Sequence, residues 1–446
     1  MNSPVTQSAG GTATAQAPGL RWDVFCRVID NHGDLGVCWR FARSLADRGH
    51  VVRLWVDDAS ALAWMAPGGH PLVTLRPWVE PHPADLMAEL PGDVVVEAFG
   101  CDPPGVFVER MAARAASGGP GAPVWINLEY LSAEAYVERS HGLASPQFGG
   151  PGRGLTKWFW FPGFTPRTGG LLRDWPGADP AGVAPPVDAR DTADAGDAGD
   201  AGDAGDAGDS RLALWHELDL AGAPPPGETR LALLFCYDNP ALPDWLDAMS
   251  GAARPWRLLV TPGLAAQAVL RWWQVRCGGA SPQPVAGGPP RQHGALGLQL
   301  LRPVAQPDFD RLLGGCDLNF VRGEDSFVRA HWAGRPFVWQ AYVQDDGAQH
   351  AKIAAWLAWW AGAAPPALHA GLVAAHAAWN LSPGPQPAAA HDWWHGLLAR
   401  RGAHEHDAWQ PWCDWALRRR AELAGQPDLV TRLLAFVAAR RAGAGA

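Results

Sequence analysis

Asp30 and Asp34 lie four residues apart in the turn Asp30-Asn31-His32-Gly33-Asp34-Leu35-Gly36, directly after an apolar run, Trp22 to Ile29, that reads as a buried first strand. Ligands of open parallel α/β sheets gather beyond the carboxyl ends of strands, and Gly33 and Gly36 let the backbone turn sharply enough for both carboxylates to face that crevice. Two carboxylates so placed suggest a site that activates a nucleophile. The same residues also fit a plainer arrangement, with Asp30 capping the next helix and Asp34 binding turn amides. His32 between them suggests a metal site, but no third and fourth ligand accompany it at a usable spacing, so no metal is expected.

A second constellation lies far along the chain. In Asn319-Phe320-Val321-Arg322-Gly323-Glu324-Asp325-Ser326-Phe327-Val328-Arg329 an apolar strand ends at a glycine and a helix begins at once. Unpaired amides at such a helix start can hold a diphosphate, balanced by Arg322. Glu324 and Asp325 repel phosphate, so one of them is expected to accept hydrogen bonds from ribose hydroxyls; simple stabilisation of the helix start is the alternative. Gln306 and Phe309 lie around it, and the rings of the loop Phe235-Cys236-Tyr237-Asp238-Asn239-Pro240, Phe235 and Tyr237, could sandwich a nucleobase, with core packing as the alternative. Gln344-Asp345-Asp346-Gly347-Ala348 is a further polar helix start that capping alone would explain.

The elements that must position these groups alternate. Strand-like runs fall at Val51 to Val56, Val94 to Ala98 and Val124 to Asn127, with helical stretches at Cys38 to Leu45, Pro83 to Leu90 and Pro104 to Ala116. A second alternating region has strands at Arg230 to Cys236, Trp256 to Val260, Leu298 to Leu301, Asp317 to Val321 and Pro336 to Trp339, and helices at Gly263 to Arg276 and Phe309 to Gly314. Two doubly wound halves imply a cleft. Amphipathic helices at Trp412 to Leu423 and Leu429 to Arg441 carry arginines expected on their outer faces, the last one folding back on the first half.

Composition bounds the rest. The chain has 446 residues, 48% of them hydrophobic and 18% charged, enough for about two or three domains with proper cores. A net charge of −9 argues against a basic nucleic-acid footprint and favours a cationic partner. Arginine supplies the positive charge almost alone, with Lys157 and Lys352 as the lysines, and the 25 tryptophans are spread widely enough to be packing residues. Seven cysteines without a Cys-x-x-Cys pair suit buried thiols in a reducing compartment, and the absence of a leader or an apolar span predicts a cytoplasmic protein away from membranes. Residues 1–20 are expected to form a disordered tail, and the Asp-Ala-Gly repeat from Asp188 to Ser210 a disordered insert without the apolar positions of a calcium roll. Dinucleotide and Gly-x-x-x-x-Gly-Lys phosphate-loop fingerprints are missing, which disfavours nicotinamide enzymes and ATPases.

Asp30 to Gly36, Asn127-Leu128-Glu129-Tyr130-Leu131, Phe161-Pro162-Gly163-Phe164-Thr165, Phe235 to Pro240 and Asn319 to Trp339, in this order, closely resemble the EarP family of protein-arginine rhamnosyltransferases. The resemblance runs from about Arg21 to the C-terminal helices, without the tail and the insert. It implies an α/β GT-B fold, two Rossmann-like domains facing each other across a cleft: 21–166 on the acceptor side, joined by a helix over 427–442, and 167–426 on the nucleotide-sugar side. It further implies inverting transfer of L-rhamnose from dTDP-β-L-rhamnose to an arginine of translation elongation factor P, activating that factor for ribosomes stalled at polyproline. By position, Asp30, Asp34 and Glu324 match the family's catalytic acids, and Phe235, Tyr237, Gln306, Phe309, Arg322, Glu324, Asp325 and Ser326 its donor pocket. No cofactor beyond the donor is implied. The family more often has Tyr at His32, His at Gln340 and Pro at Val343. From the residues alone, a lipid or small-glycan acceptor, or a nucleotide-sugar binding module without catalysis, fits the same fold.

Overall fold

The computed structural model describes residues 19–30, 32–78, 88–117, 121–174, 211–278, 282–382, 386–399 and 408–443. The tail expected over 1–20 therefore lies outside the described residues except for Gly19 and Leu20, as do the whole insert and most of the helix expected over Pro83 to Leu90. Leu20 belongs to the fold: its amide donates to His50 Nδ1 at 3.0 Å and its side chain packs on the first core.

Among the described residues, two sheets are built on one plan. The first has β1 (Arg21–Cys26), β2 (Val51–Val56), β3 (Val73–Pro77), β4 (Val94–Ala98), β5 (Val124–Leu128), β6 (Ala144–Pro146) and β7 (Thr156–Trp160), in the order β3-β2-β1-β4-β5-β7-β6. The second has β8 (Arg230–Leu234), β9 (Trp256–Val260), β10 (Arg291–His293), β11 (Leu296–Leu300), β12 (Leu318–Arg322) and β13 (Phe337–Gln340), in the order β10-β11-β9-β8-β12-β13. Pairing is parallel throughout except at the edge strands β6 and β10. Strand order reverses between β1 and β4 in the first sheet and between β8 and β12 in the second, so each half opens a crevice where its Asp30 turn or its Phe235 and Gly323 loops leave the sheet.

Buried parallel strands read as continuous apolar runs, and β4 and β5 are buried along their whole lengths. The first strand ends sooner than its apolar run predicts. The Val28 amide turns to Asp57 Oδ1 at 2.9 Å and the Ile29 amide to Asp34 Oδ2 at 2.9 Å, so both leave the ladder and Ile29 is exposed. The last helix, Leu429–Gly443, buries Leu429, Val430, Leu433 and Val437 in the core of the first sheet. Phe164 and Leu171 join the core of the second half, and Leu172 joins that of the first. One arginine departs from the outward placement expected of the C-terminal helices: Arg419 is buried with its guanidinium 3.9 Å from the Trp359 ring centre. Among the described residues no helix is long and apolar enough to cross a membrane.

Candidate active site

The helix Gly33–Ala46 begins without a side-chain cap, so Asp30 does not serve that purpose. Asp34 does anchor the turn. Its Oδ2 accepts the amides of Ile29 and Asp30, each at 2.9 Å, while Oδ1 accepts the Tyr130 hydroxyl at 3.2 Å. This fixes the direction in which Asp30 leaves the strand.

Asp30 points across the gap between the halves. Its Oδ2 accepts the Tyr237 hydroxyl at 2.6 Å, and its Oδ1 is buried without a hydrogen-bond partner. Burial raises the Asp30 pKa above the usual aspartate range, against the lowering influence of the Tyr237 bond and the Arg322 charge. Gly323 makes this approach possible. It has φ +62°, and a Cβ there would stand 2.9 Å from Asp30 Oδ2 and 3.0 Å from the Tyr237 oxygen.

Between the halves lies a cavity of about 540 Å³ whose lining includes Asp30, Phe235, Tyr237, Gln306, Phe309, Arg322, Asp325 and Ser326. The expected site residues thus converge from both sheets, with two exceptions. Asp34 sits behind the turn, and Glu324 faces a separate apolar seam of about 30 Å³ beside Leu131 and Phe99. The rings of Phe235 and Tyr237 do not form an open sandwich: the Arg322 guanidinium covers both, 4.5 and 4.4 Å from their centres. Ser326 also differs from a free ligand group, because its hydroxyl donates to the Arg322 carbonyl at 2.6 Å and accepts the Arg322 amide at 3.1 Å, stapling the turn.

The acidic pair, one member of which is expected to read a ribose, joins the halves. Glu324 Oε2 accepts the Leu131 amide at 2.9 Å, and Asp325 Oδ1 pairs with Arg40 Nε at 2.9 Å. Burial, only partly offset by the Lys352 charge, pushes the Glu324 carboxyl up to about 7. Arg40, wholly buried on the first helix, also forks onto Asp310 through two bonds of 3.0 Å, and Arg329 grips the same carboxylate at 3.1 and 2.9 Å. Asp174 accepts from Arg40, Arg43 and Arg329, which completes the cluster. Gln306 Nε2 bonds to the Gly36 carbonyl and to Asp325, both at 3.3 Å. None of Arg40, Asp174 and Asp310 was legible as a site residue, since 270 residues separate Arg40 from Asp310 and no spacing rule links them.

Gln340 Oε1 accepts the Tyr237 amide at 2.9 Å, His32 lines the cavity with its ring edge-on to Trp64 at 5.3 Å, and Val343 is exposed. Among the described residues no three His, Cys, Asp or Glu side chains group as a metal site requires.

Residues 22–438 match the family described as "Elongation-Factor P (EF-P) rhamnosyltransferase EarP". The chain belongs to the EarP family. It is 41% identical over 424 residues to a protein-arginine rhamnosyltransferase of Pseudomonas putida, covering 93% of this chain and 98% of that protein. It is 38% identical to the Pseudomonas aeruginosa protein of the same name, covering 94% and 98%. A solved structure described as the "structural basis for EarP-mediated arginine glycosylation of translation elongation factor EF-P" aligns over 94% of this chain and 98% of its own, with 29% identity and a TM-score of 0.55. The fold is GT-B and the chain is an enzyme, a protein-arginine rhamnosyltransferase. The cavity that receives Asp30, Arg322 and the start of helix Asp325–Ala333 lies within the matched span, 22–438.

Proposed function

We propose that the protein transfers L-rhamnose, with inversion, from dTDP-β-L-rhamnose to an arginine side chain of translation elongation factor P. The observation that carries this reading is the Asp30 carboxylate: anchored on the first sheet, it meets Tyr237 and Gly323 of the second inside the interdomain cavity. The family match and the solved EarP structure support the acceptor and the sugar.

An arginine guanidinium holds its proton with a pKa above roughly 12 and is a poor nucleophile until that proton is drawn off. Asp30, made more basic by burial, would align one N–H and take its proton as the bond from nitrogen to the anomeric carbon forms. The bond from that carbon to the phosphate oxygen breaks on the opposite face, and dTDP leaves with the electron pair. Asp34 Oδ1, held only by the Tyr130 phenol, would receive the other fork of the guanidinium. Arg322 and the amides opening helix Asp325–Ala333 would take up charge on the departing diphosphate. The scheme needs no metal or other cofactor.

The test is intact-mass measurement of elongation factor P incubated with the protein and dTDP-rhamnose. The expected result is the gain of one deoxyhexose with wild type and none with Asp30→Asn or Asp34→Asn, whose dTDP affinity by calorimetry is retained. No gain with wild type refutes the reading, and full modification by either variant removes that residue from it.

A further inference from the structure

Tyr130 stands at the rim of the cleft with 36% of its surface exposed, and its hydroxyl reaches Asp34 Oδ1. One face of its ring stacks on Phe99, centres 4.3 Å apart and planes 12° from parallel. Phe99 holds φ +58°, a left-handed conformation that is costly for a bulky side chain and that gathers at sites where a group must be aimed. Lys352, from helix Ala348–Ala361 of the other half, brings its Nζ to 5.6 Å from the centre of the Tyr130 ring. Among the described residues this ammonium forms no ion pair, but its charge acts on the Glu324 carboxyl, and Asp34 and Glu324 both act electrostatically on the Tyr130 phenol. Burial first, and then these two carboxylates, push that phenol's pKa upward, which marks the ring as the wall of a negatively charged basin.

A ring backed by a second ring, its hydroxyl resting on the buried Asp34 carboxylate, suits a planar cation better than an ammonium. Guanidinium is less strongly hydrated, stacks on aromatic faces and donates in a fork, whereas ammonium is a compact, strongly hydrated point charge. We propose that the exposed face of Tyr130 is the seat of the acceptor guanidinium and that Lys352 is the resident cation, which the acceptor displaces on entry. The assignment rests on the transfer to arginine inferred above. Lys352 is half-buried on a flexible stem and can swing outward, so the exchange keeps the basin's charge balanced at each stage. It also makes Lys352 a determinant of acceptor affinity: a cation that guards the seat against water and weak cations, and yields to an arginine that brings a fork.

The test compares full-length wild type with Lys352→Met, Lys352→Arg and Tyr130→Leu, reading the KM of the protein acceptor, the KM of the donor and the calorimetric affinity for agmatine, a small guanidino probe. Lys352→Met should lower the acceptor KM and tighten agmatine by about fourfold or more, the factor that one like charge at ~5 Å exerts even through water. Lys352→Arg, which places a competing guanidinium on the ring, should raise the acceptor KM, and so should Tyr130→Leu, with the donor KM unchanged in all three. An unchanged or raised acceptor KM in Lys352→Met, with agmatine no tighter, overturns the proposal while wild-type transfer stands. Wild type that transfers no sugar to the protein acceptor overturns the arginine-transfer reading and this proposal with it.

Discussion

Arg40→Met is the substitution whose cost the structure specifies most fully. The guanidinium is wholly buried; burial alone works against its charge, yet Asp325, Asp310 and Asp174 hold its pKa above the ordinary arginine value. Among the described residues the cluster sets Arg40, Arg43 and Arg329 against Asp174, Asp310 and Asp325, so its charges cancel. Methionine fills much of the same volume but leaves three carboxylates facing two guanidinia at side-chain exposures of 3% for Asp174, 2% for Asp310 and 18% for Asp325. Breaking a buried pair from one side costs about 3–5 kcal/mol, mostly because the remaining charge is stranded. For cooperative units of a few hundred residues, that is a drop in Tm on the order of 10 °C.

Differential scanning calorimetry of wild type, Arg40→Met and the double variant Arg40→Met/Asp325→Asn checks this reasoning. The double variant restores charge balance with one fewer carboxylate and should recover about half of the lost Tm, though not activity, because Asp325 lines the cleft. The loss should also persist in 0.5 M salt, where an exposed pair would be screened over about 4 Å. A Tm within about 2 °C of wild type for the single variant, or a double variant no more stable than the single, would refute the view that this cluster clamps the halves together.

Three other outcomes follow from the site. Gly323→Ala puts a methyl at φ +62° against Asp30 Oδ2 and the Tyr237 oxygen, so transfer should fall at least tenfold while the Tm drops by no more than the ~1–2 kcal/mol of the backbone strain permits; wild-type turnover would show that the approach is not needed. Tyr237→Phe deletes a hydrogen bond that lowers the Asp30 pKa, so the acid limb of the pH–rate profile should move to higher pH; a shift to lower pH would contradict the assignment of that limb to Asp30. Glu324, with its carboxyl raised to about 7 against an unfolded value of 4.5, binds more protons folded than unfolded between these values. Its contribution to stability is therefore present below pH 4.5 and lost as pH rises toward 7, and Glu324→Gln should flatten the Tm–pH curve in that window; a parallel curve would refute it.

What was legible in the sequence was whatever obeys a local period or a chain-adjacent rule. Val94 to Ala98 and Trp256 to Val260 are strands at the residues where their apolar runs stand, because a parallel strand covered on both faces needs nothing else. The Arg322-Gly323 junction was legible because glycine, here at positive φ, punctuates a strand end, whereas Gly33 and Gly36 after Asp30 lie within the helix Gly33–Ala46 and take no positive φ. Strands β3, β6 and β10 were not, since each lies at or near an edge and leaves residues exposed, which erases the apolar run. Helix starts at Glu324 and Asp325 were visible too, but the acidic residues that mark such starts say nothing about what they will bond.

Acidic residues in a first helical turn oppose the binding of a diphosphate there, and a nucleotide seat would be better without them unless they serve something else. In this protein each has a partner on the opposite half: the Leu131 amide for Glu324 and the Arg40 guanidinium for Asp325. Leu131 follows Tyr130, whose phenol holds Asp34, and Arg40 lies on the helix that Asp34 opens. The helix that would receive the phosphates is therefore tied at its first two residues to the segments that aim the acidic pair. The two repeats of one topology are thus set in register at their switch points by side chains that, read singly, belong to the nucleotide alone. Loss of either carboxylate should then disturb the alignment of Asp30 as much as the binding of nucleotide, because the same helix start serves both.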